Sequence, residues 1–293
     1  MIAMTDEMRS KLKQLEISAK RLVSSSLPGD YQSAFKGMGL EFDQIREYDQ
    51  GDDVRTIDWN ATAKMNKLMV KKFVQERDRT IIIAVDISAS QNYGSTDQLK
   101  QDLAHHVASS IAFVGVTSKD RVGLLLFSDV VEQWIAPARG NSQFGRILEA
   151  LCSAQSDGKK TDLEQALKFL IGLKNRRGVV LFVISDWMEA AENYKQALRV
   201  AACEYDLIAV SIADRCEQQL PACGYLYVKD PESGQVVLID TRDAQLTKFL
   251  GQTMYDRKRL FEQCKVDHLA LTAGQPFVVP MIRFFHERTR RQV

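Results

Sequence analysis

Four runs of apolar, β-forming residues mark the middle of the chain, at 81–85, 122–127, 179–184 and 207–212. Runs that are apolar at nearly every position suit strands covered on both faces, as in a parallel sheet. Between them the period changes. Leu103, Val107, Ile111 and Val114 recur at spacings of three and four, as do Leu163, Leu167 and Leu170. That is the stripe of an amphipathic helix. Strand and helix alternating in this way predict an α/β fold, a Rossmann-like, doubly wound and mostly parallel sheet. Residues 130–136 follow Ser128-Asp129 too closely for a helical crossover, so they are expected to return antiparallel as a hairpin. A second hairpin is expected from 225–228 and 235–239, joined through Asp230-Pro231-Glu232-Ser233-Gly234. Helices should fill 242–266 and 279–290.

Upstream the pattern differs. Residues 4–26 read as an amphipathic helix carrying Met8, Leu12, Leu15, Ile17 and Leu22, stopped at Leu27-Pro28-Gly29-Asp30. Residues 31–79 are rich in Gly, Asp and aromatics, with a flexible point at Gly37-Met38-Gly39, a turn signal at Tyr48-Asp49-Gln50-Gly51-Asp52-Asp53 and strand composition from Leu68 to Phe73. The expected organisation is a helix plus small β-containing extension over 1–79. A larger α/β domain over 80–293 follows, with a hairpin insertion near 225–240.

Composition narrows the function. At 45% apolar and 26% charged, the 293-residue chain can bury a sizeable core. A formal net charge of +1 argues against general nucleic-acid binding. The basic cluster Arg283, Arg288, Arg290 and Arg291 suits the C-terminal end of a helix. Five cysteines, none in a C-x-x-C pair, fit a reducing compartment, and no apolar run approaches a membrane span. The expectation is a cytoplasmic protein without a membrane span.

The chemistry gathers where the strands end, since ligands of open α/β sheets bind beyond the carboxyl ends of the strands. Asp86, Ser88 and Ser90 follow the first run, Asp186 follows the third, and Thr161 opens a helix after Gly158-Lys159-Lys160. Two carboxylates and three hydroxyls are hard oxygen donors, which suit Mg²⁺ or Mn²⁺. Each residue also has a plainer role. Thr161-Asp162-Leu163-Glu164 is a capping box, Asp186 could cap a helix, and the two serines could make turn bonds. With few carboxylates, a bound dication would keep positive charge and favour a further anionic ligand, such as a partner's Asp or Glu. Other chemistries lack their motifs. There is no G-x-x-x-x-G-K-[ST] and no G-x-S-x-G. The Asp86 loop has no second carboxylate for aspartyl-phosphate chemistry. His105 and His106 fall within a helical pattern, while His268 and His286 stand alone. No catalytic residue is assigned.

Asp86-x-Ser88-x-Ser90, followed by Thr161 and Asp186, resembles the metal-ion-dependent adhesion site of von Willebrand factor A domains. Upstream, Gly37-x-Gly39-x-Glu41-Phe42-x-x-x-Arg46-x-Tyr48-x-x-Gly51-Asp52-Asp53-x-Arg55-x-Ile57-Asp58-Trp59 resembles the bacterial "domain of unknown function 58" family. Leu220-Pro221, Asp230-Pro231-Glu232-x-Gly234 and Asp240-Thr241 match the later part of the same pattern. The resemblance implies an A-domain-like fold and partnership with a MoxR-type AAA+ ATPase or its client. It also implies direct ion binding by Asp86, Ser88 and Ser90, contact through Thr161 in some states, and a water-mediated role for Asp186. One departure is Trp187, where A domains more often carry glycine. Arg46 and Arg55 are expected to pair with the neighbouring carboxylates and Trp59 to anchor the extension, a partner-docking surface being the alternative reading of this segment. A Mg²⁺-dependent phosphoester hydrolase, and a structural scaffold with a vestigial metal site, are the alternatives to an interaction module.

Overall fold

The computed structural model describes residues 13–17, 44–48, 57, 59–65, 67–72, 79–154, 160–173, 178–221, 223–229, 231 and 234–292. The chain divides into two compact units. One comprises Met1–Leu27 with Arg79–Phe284, the other Pro28–Asp78 with Phe285–Val293.

In the second unit, β1 (Gln44–Glu47) pairs antiparallel with β2 (Met69–Lys72), and α1 (Trp59–Met65) lies between them in sequence. The Thr62 hydroxyl accepts from the Met69 N–H (3.0 Å), which ties the helix to the following strand. Trp59 is 69% exposed and so does not anchor this unit, contrary to the sequence reading. It starts a short helix and faces solvent. The pairing of Arg46 and Arg55 with nearby carboxylates lies outside the described residues, as does the glycine motif at 37–39. Of the expected helix over 4–26, residues 13–17 are described and are helical.

The first unit is built on a six-stranded sheet in the order β10-β7-β6-β3-β4-β5. The strands are β3 (Thr80–Asp86), β4 (Arg121–Phe127), β5 (Val131–Ala138), β6 (Val179–Ser185), β7 (Asp206–Ala213) and β10 (Asp267–Thr272). All neighbours pair parallel except β4 and β5, the expected antiparallel hairpin. The helices are α2 (Lys100–Thr117), α3 (Asn141–Ser153), α4 (Leu163–Gly172), α5 (Ala191–Glu204), α6 (Arg215–Gln218), α7 (Ala244–Gln263) and α8 (Val278–Gln292), the last of which belongs to the second unit from Phe285 onward. This is a doubly wound α/β fold. Side chains alternate along each strand. Ile82 and Ala84 join Leu163, Leu167, Leu198 and Phe261 of α4, α5 and α7 in one buried cluster, leaving Ile81, Ile83 and Val85 for the opposite face. There α2 runs so close that a Cβ on Gly115 would stand 2.8 Å from Val122 Cγ2.

β10 is an element the sequence reading left unassigned. It pairs with β7 at the sheet edge and alternates buried and less buried positions, so it lacks the continuous apolar run of the inner strands. The second expected hairpin is present as β8 (Tyr225–Lys229) and β9 (Val236–Asp240), a two-stranded ribbon separate from the main sheet. Tyr225, Tyr227, Val236, Val237 and Leu238 on it are exposed.

β3 sits at the centre. The chain passes from β3 to β4 on one side, then returns to place β6 on the other. That reversal opens the crevice in which ligands of such sheets bind, at the carboxyl end of β3.

Candidate metal centre

Asp86 is the last residue of β3 and is fully buried. The chain leaves the strand by bonding the Ile87 N–H to the Phe127 carbonyl (2.8 Å), which fixes the start of the loop against β4. The Ser88 N–H then donates to Asp86 Oδ1 (2.9 Å). Ser88 precedes a single 3₁₀ turn over Ala89–Asn92, and this turn brings Ser90 back beside it. Ser88 Oγ and Ser90 Oγ lie 3.0 Å apart. Two adjacent ligands on an octahedral Mg²⁺ are separated by √2 times the metal–oxygen distance, about 3.0 Å. The hydroxyl pair has the spacing of one edge of that octahedron.

The other Asp86 oxygen, Oδ2, accepts from the Ser185 hydroxyl (2.7 Å) and more weakly from Gln91 Nε2 (3.5 Å). Gln91 is fully buried, and its Oε1 has no hydrogen-bond partner among the described residues. A buried carbonyl oxygen left unmatched is costly, and such groups in native proteins usually meet a water or ion. Burial, then the charge of Asp186, push the Asp86 carboxyl up to about 7, while bonds from Ser185 and Ser88 pull the other way. Positive charge brought between the two carboxylates would reverse that shift.

Asp186 follows β6 and is buried. Its Oδ1 accepts from the Met188 N–H (3.2 Å) and its Oδ2 from Lys100 Nζ (2.9 Å). It does not cap α5, whose N-cap is Ala190. Lys100, the first residue of α2, is only 1% exposed and also donates to Glu217 Oε1 (2.7 Å). Burial works against the ammonium, but Asp186 and Glu217 outweigh it and hold Lys100 above the ordinary lysine value. Between Asp186 and the helix, Trp187 takes a positive φ of 56°. That is the left-handed region glycine enters freely. The loop therefore keeps a glycine-like backbone although the residue is tryptophan. Arg257 Nη1 donates to the Asp186 carbonyl (2.9 Å) and steadies the turn.

Thr161 is half-buried, two residues before α4. The capping bond expected of it is made instead by Asp162, whose side chain accepts from the Gln165 N–H (2.8 Å). The Asp162 N–H donates to the Ser128 carbonyl (3.0 Å), which ties this loop to the one that follows β4.

The structure thus gathers Asp86, Ser88 and Ser90 in one loop, with Asp186 near enough for its charge to act on Asp86 and with Lys100 paired to Asp186. Sequence reasoning missed Gln91, Ser185, Lys100 and Glu217. Ser185 had a readable signal, a hydroxyl closing an apolar run just before Asp186. Lys100 had none, because a cation at a helix N-terminus opposes the helix dipole and would be assigned to solvent. The donors fit a hard dication: a carboxylate, two hydroxyls at octahedral spacing, and on Gln91 an unmatched buried oxygen able to accept a hydrogen bond. Among the described residues, no group of three His, Cys, Asp or Glu side chains could hold a metal ion.

Fold and site together define a class, a doubly wound α/β domain with an oxygen-lined rim at its switch point. The chain belongs to the family described as "Protein of unknown function DUF58", whose family model matches residues 44–259. Uncharacterized proteins of Mycobacterium bovis and Mycobacterium tuberculosis are each 27% identical to it over 289 residues, 97% of this chain and 90% of theirs. Among solved structures, it is similar to the conserved hypothetical protein BatB from Bacteroides thetaiotaomicron at 16% identity and a TM-score of 0.49, over 72% of this chain and 98% of that one. Among the described residues, no helix is long and apolar enough to cross a membrane.

Proposed function

We propose that the chain is a metal-ion-dependent protein–protein interaction module of the von Willebrand factor A type. The observation that carries this reading is the Ser88–Ser90 hydroxyl pair at 3.0 Å beside buried Asp86, with the unmatched Gln91 Oε1 next to it. Asp86, Ser88 and Ser90 would hold Mg²⁺ or Mn²⁺, with Asp186 and Thr161 acting through water or on approach of a partner. The ion would supply a positive charge open to a carboxylate from outside the chain. Ser185 and the Ser88 N–H orient Asp86 for that role, and Lys100 takes up the charge of Asp186. The family resemblance supports a MoxR-type AAA+ ATPase, or its client, as the protein that brings the carboxylate.

Titration with Mn²⁺ tests the site, and a pull-down with the MoxR-type ATPase of the same organism tests the role. Binding of both is expected in the parent chain. Asp86→Ala should weaken Mn²⁺ binding by about a hundredfold, the loss of a direct carboxylate ligand, and should release the partner, as should EDTA. Partner binding that survives both treatments rules out a metal bridge.

A further inference from the structure

The buried ion pair of Lys100 extends this reading. Its ammonium is 1% exposed and has two carboxylate partners, Asp186 at 2.9 Å and Glu217 at 2.7 Å. The Asp186 carboxylate is 86 residues along the chain and belongs to the candidate site. Glu217 is 117 residues away in the short helix α6, where its second oxygen accepts from the Asp214 N–H (2.9 Å). Asp214 in turn accepts from the Ser95 N–H (2.8 Å) in the loop between the site and α2. Lys100 therefore joins the ends of β6 and β7 through buried Asp186 and partly buried Glu217. A charge buried this deeply is costly unless it is well paired, so its place beside the carboxylate set calls for a reason.

We propose that Lys100 is the resident counter-ion of the rim: its ammonium occupies the Asp186 side, so that the site folds without a divalent ion and Asp86 alone is the carboxylate that such an ion meets directly. This rests on the metal-dependent reading above. It adds that the affinity of the site is set low by a charge built into the fold. A low-affinity rim with one direct carboxylate leaves the ion electron-poor, and an incoming carboxylate then completes its shell. Without Lys100, the charges of Asp186 and Glu217 would be uncompensated and would draw the ion more tightly, leaving less demand for a partner.

Mn²⁺ alone, titrated into the full chain by calorimetry, is the probe. Lys100→Met is expected to bind Mn²⁺ about tenfold more tightly than the parent, since a nearby positive charge has been removed, and to lose thermal stability that added Mn²⁺ restores. Lys100→Arg keeps the charge and should return the affinity to about the parent value. A purely structural lysine would not produce tighter binding on removal, so equal or weaker binding by a folded Lys100→Met overturns the proposal. Glu217→Gln keeps the test open should that variant not fold. It leaves the ammonium with Asp186 alone and should weaken Mn²⁺ binding about threefold; unchanged affinity there also overturns the proposal. The two readings fail differently. A parent chain that binds no Mn²⁺ defeats the metal site itself. Asp86-dependent binding that is indifferent to both Lys100 and Glu217 defeats only the counter-ion role.

Discussion

Trp187→Ala is expected to destabilise the protein by about 3–5 kcal/mol, the range for removing a large buried aromatic. The indole is buried and meets Tyr194 and Phe261 edge-on, with ring centroids at 5.6 and 5.0 Å. Its Nε1–H donates to the Val210 carbonyl (3.2 Å), so truncation also removes a buried hydrogen bond to β7. The positive φ at this position costs about 1–2 kcal/mol for a residue with a Cβ. The aromatic packing must offset that strain, and Trp187→Gly would relieve the backbone yet still lose the larger packing term. Because the Trp187 N–H also donates to Ser185 Oγ (3.2 Å), and Ser185 holds Asp86, the loss should reach the rim. Chemical denaturation measures the stability, and Mn²⁺ titration of the still-folded fraction measures the effect on the site. A cost below about 1 kcal/mol would mean that this cluster does not hold the loop.

Acidification should remove about 3 kcal/mol of stability through His268 between pH 6.5 and 4. The ring packs on Phe261 with centroids 4.7 Å apart and has Ser211 Oγ 2.8 Å from Nε2. Burial, then the charges of Arg257 and Lys258, lower it to about 4 from an ordinary 6.5. The folded state keeps this histidine neutral while the unfolded chain protonates it below 6.5. The unfolded state therefore binds more protons across the window, and stability falls as pH drops. Asp120, raised to about 6 chiefly by burial, works in the opposite direction over part of the same range. The clean measurement is thus the difference between the parent and His268→Gln. The parent's advantage should shrink from pH 7 to pH 4; an advantage independent of pH would show that the ring is not held neutral.

The inner strands were legible because each is a continuous apolar run, and the order of strand and helix followed from their spacing. The edge was not. β10 reads Asp-His-Leu-Ala-Leu-Thr, and its polar positions belong to a strand with one neighbour only, a fact of topology rather than local composition. α1 was missed because seven residues with a tryptophan at the start carry too little period to recognise. At the site, Asp86, Ser88 and Ser90 could be read together because one turn holds all three. Lys100 could not, since its partners lie 86 and 117 residues away and nothing near it in sequence announces them. Trp187 stood out as a departure from a glycine pattern, and the backbone explains it: the conformation is retained and the side chain is used for packing.

The β8–β9 ribbon has a consequence for how the molecule could be divided. Among the described residues these two strands have no third neighbour and so contribute little stability of their own, and exposed surface segments are where proteases nick folded chains. A cut between Lys229 and Val236 would separate a fragment ending in β8 from one that begins with β9. The second fragment carries β10, which pairs along its whole length with β7 of the first, and α7, whose Leu260 and Phe261 lie in the shared core. The break would fall outside the sheet while the contacts that join the pieces lie within it. The ribbon is therefore a natural seam, at which the polypeptide could be supplied as two chains that reassemble into one fold.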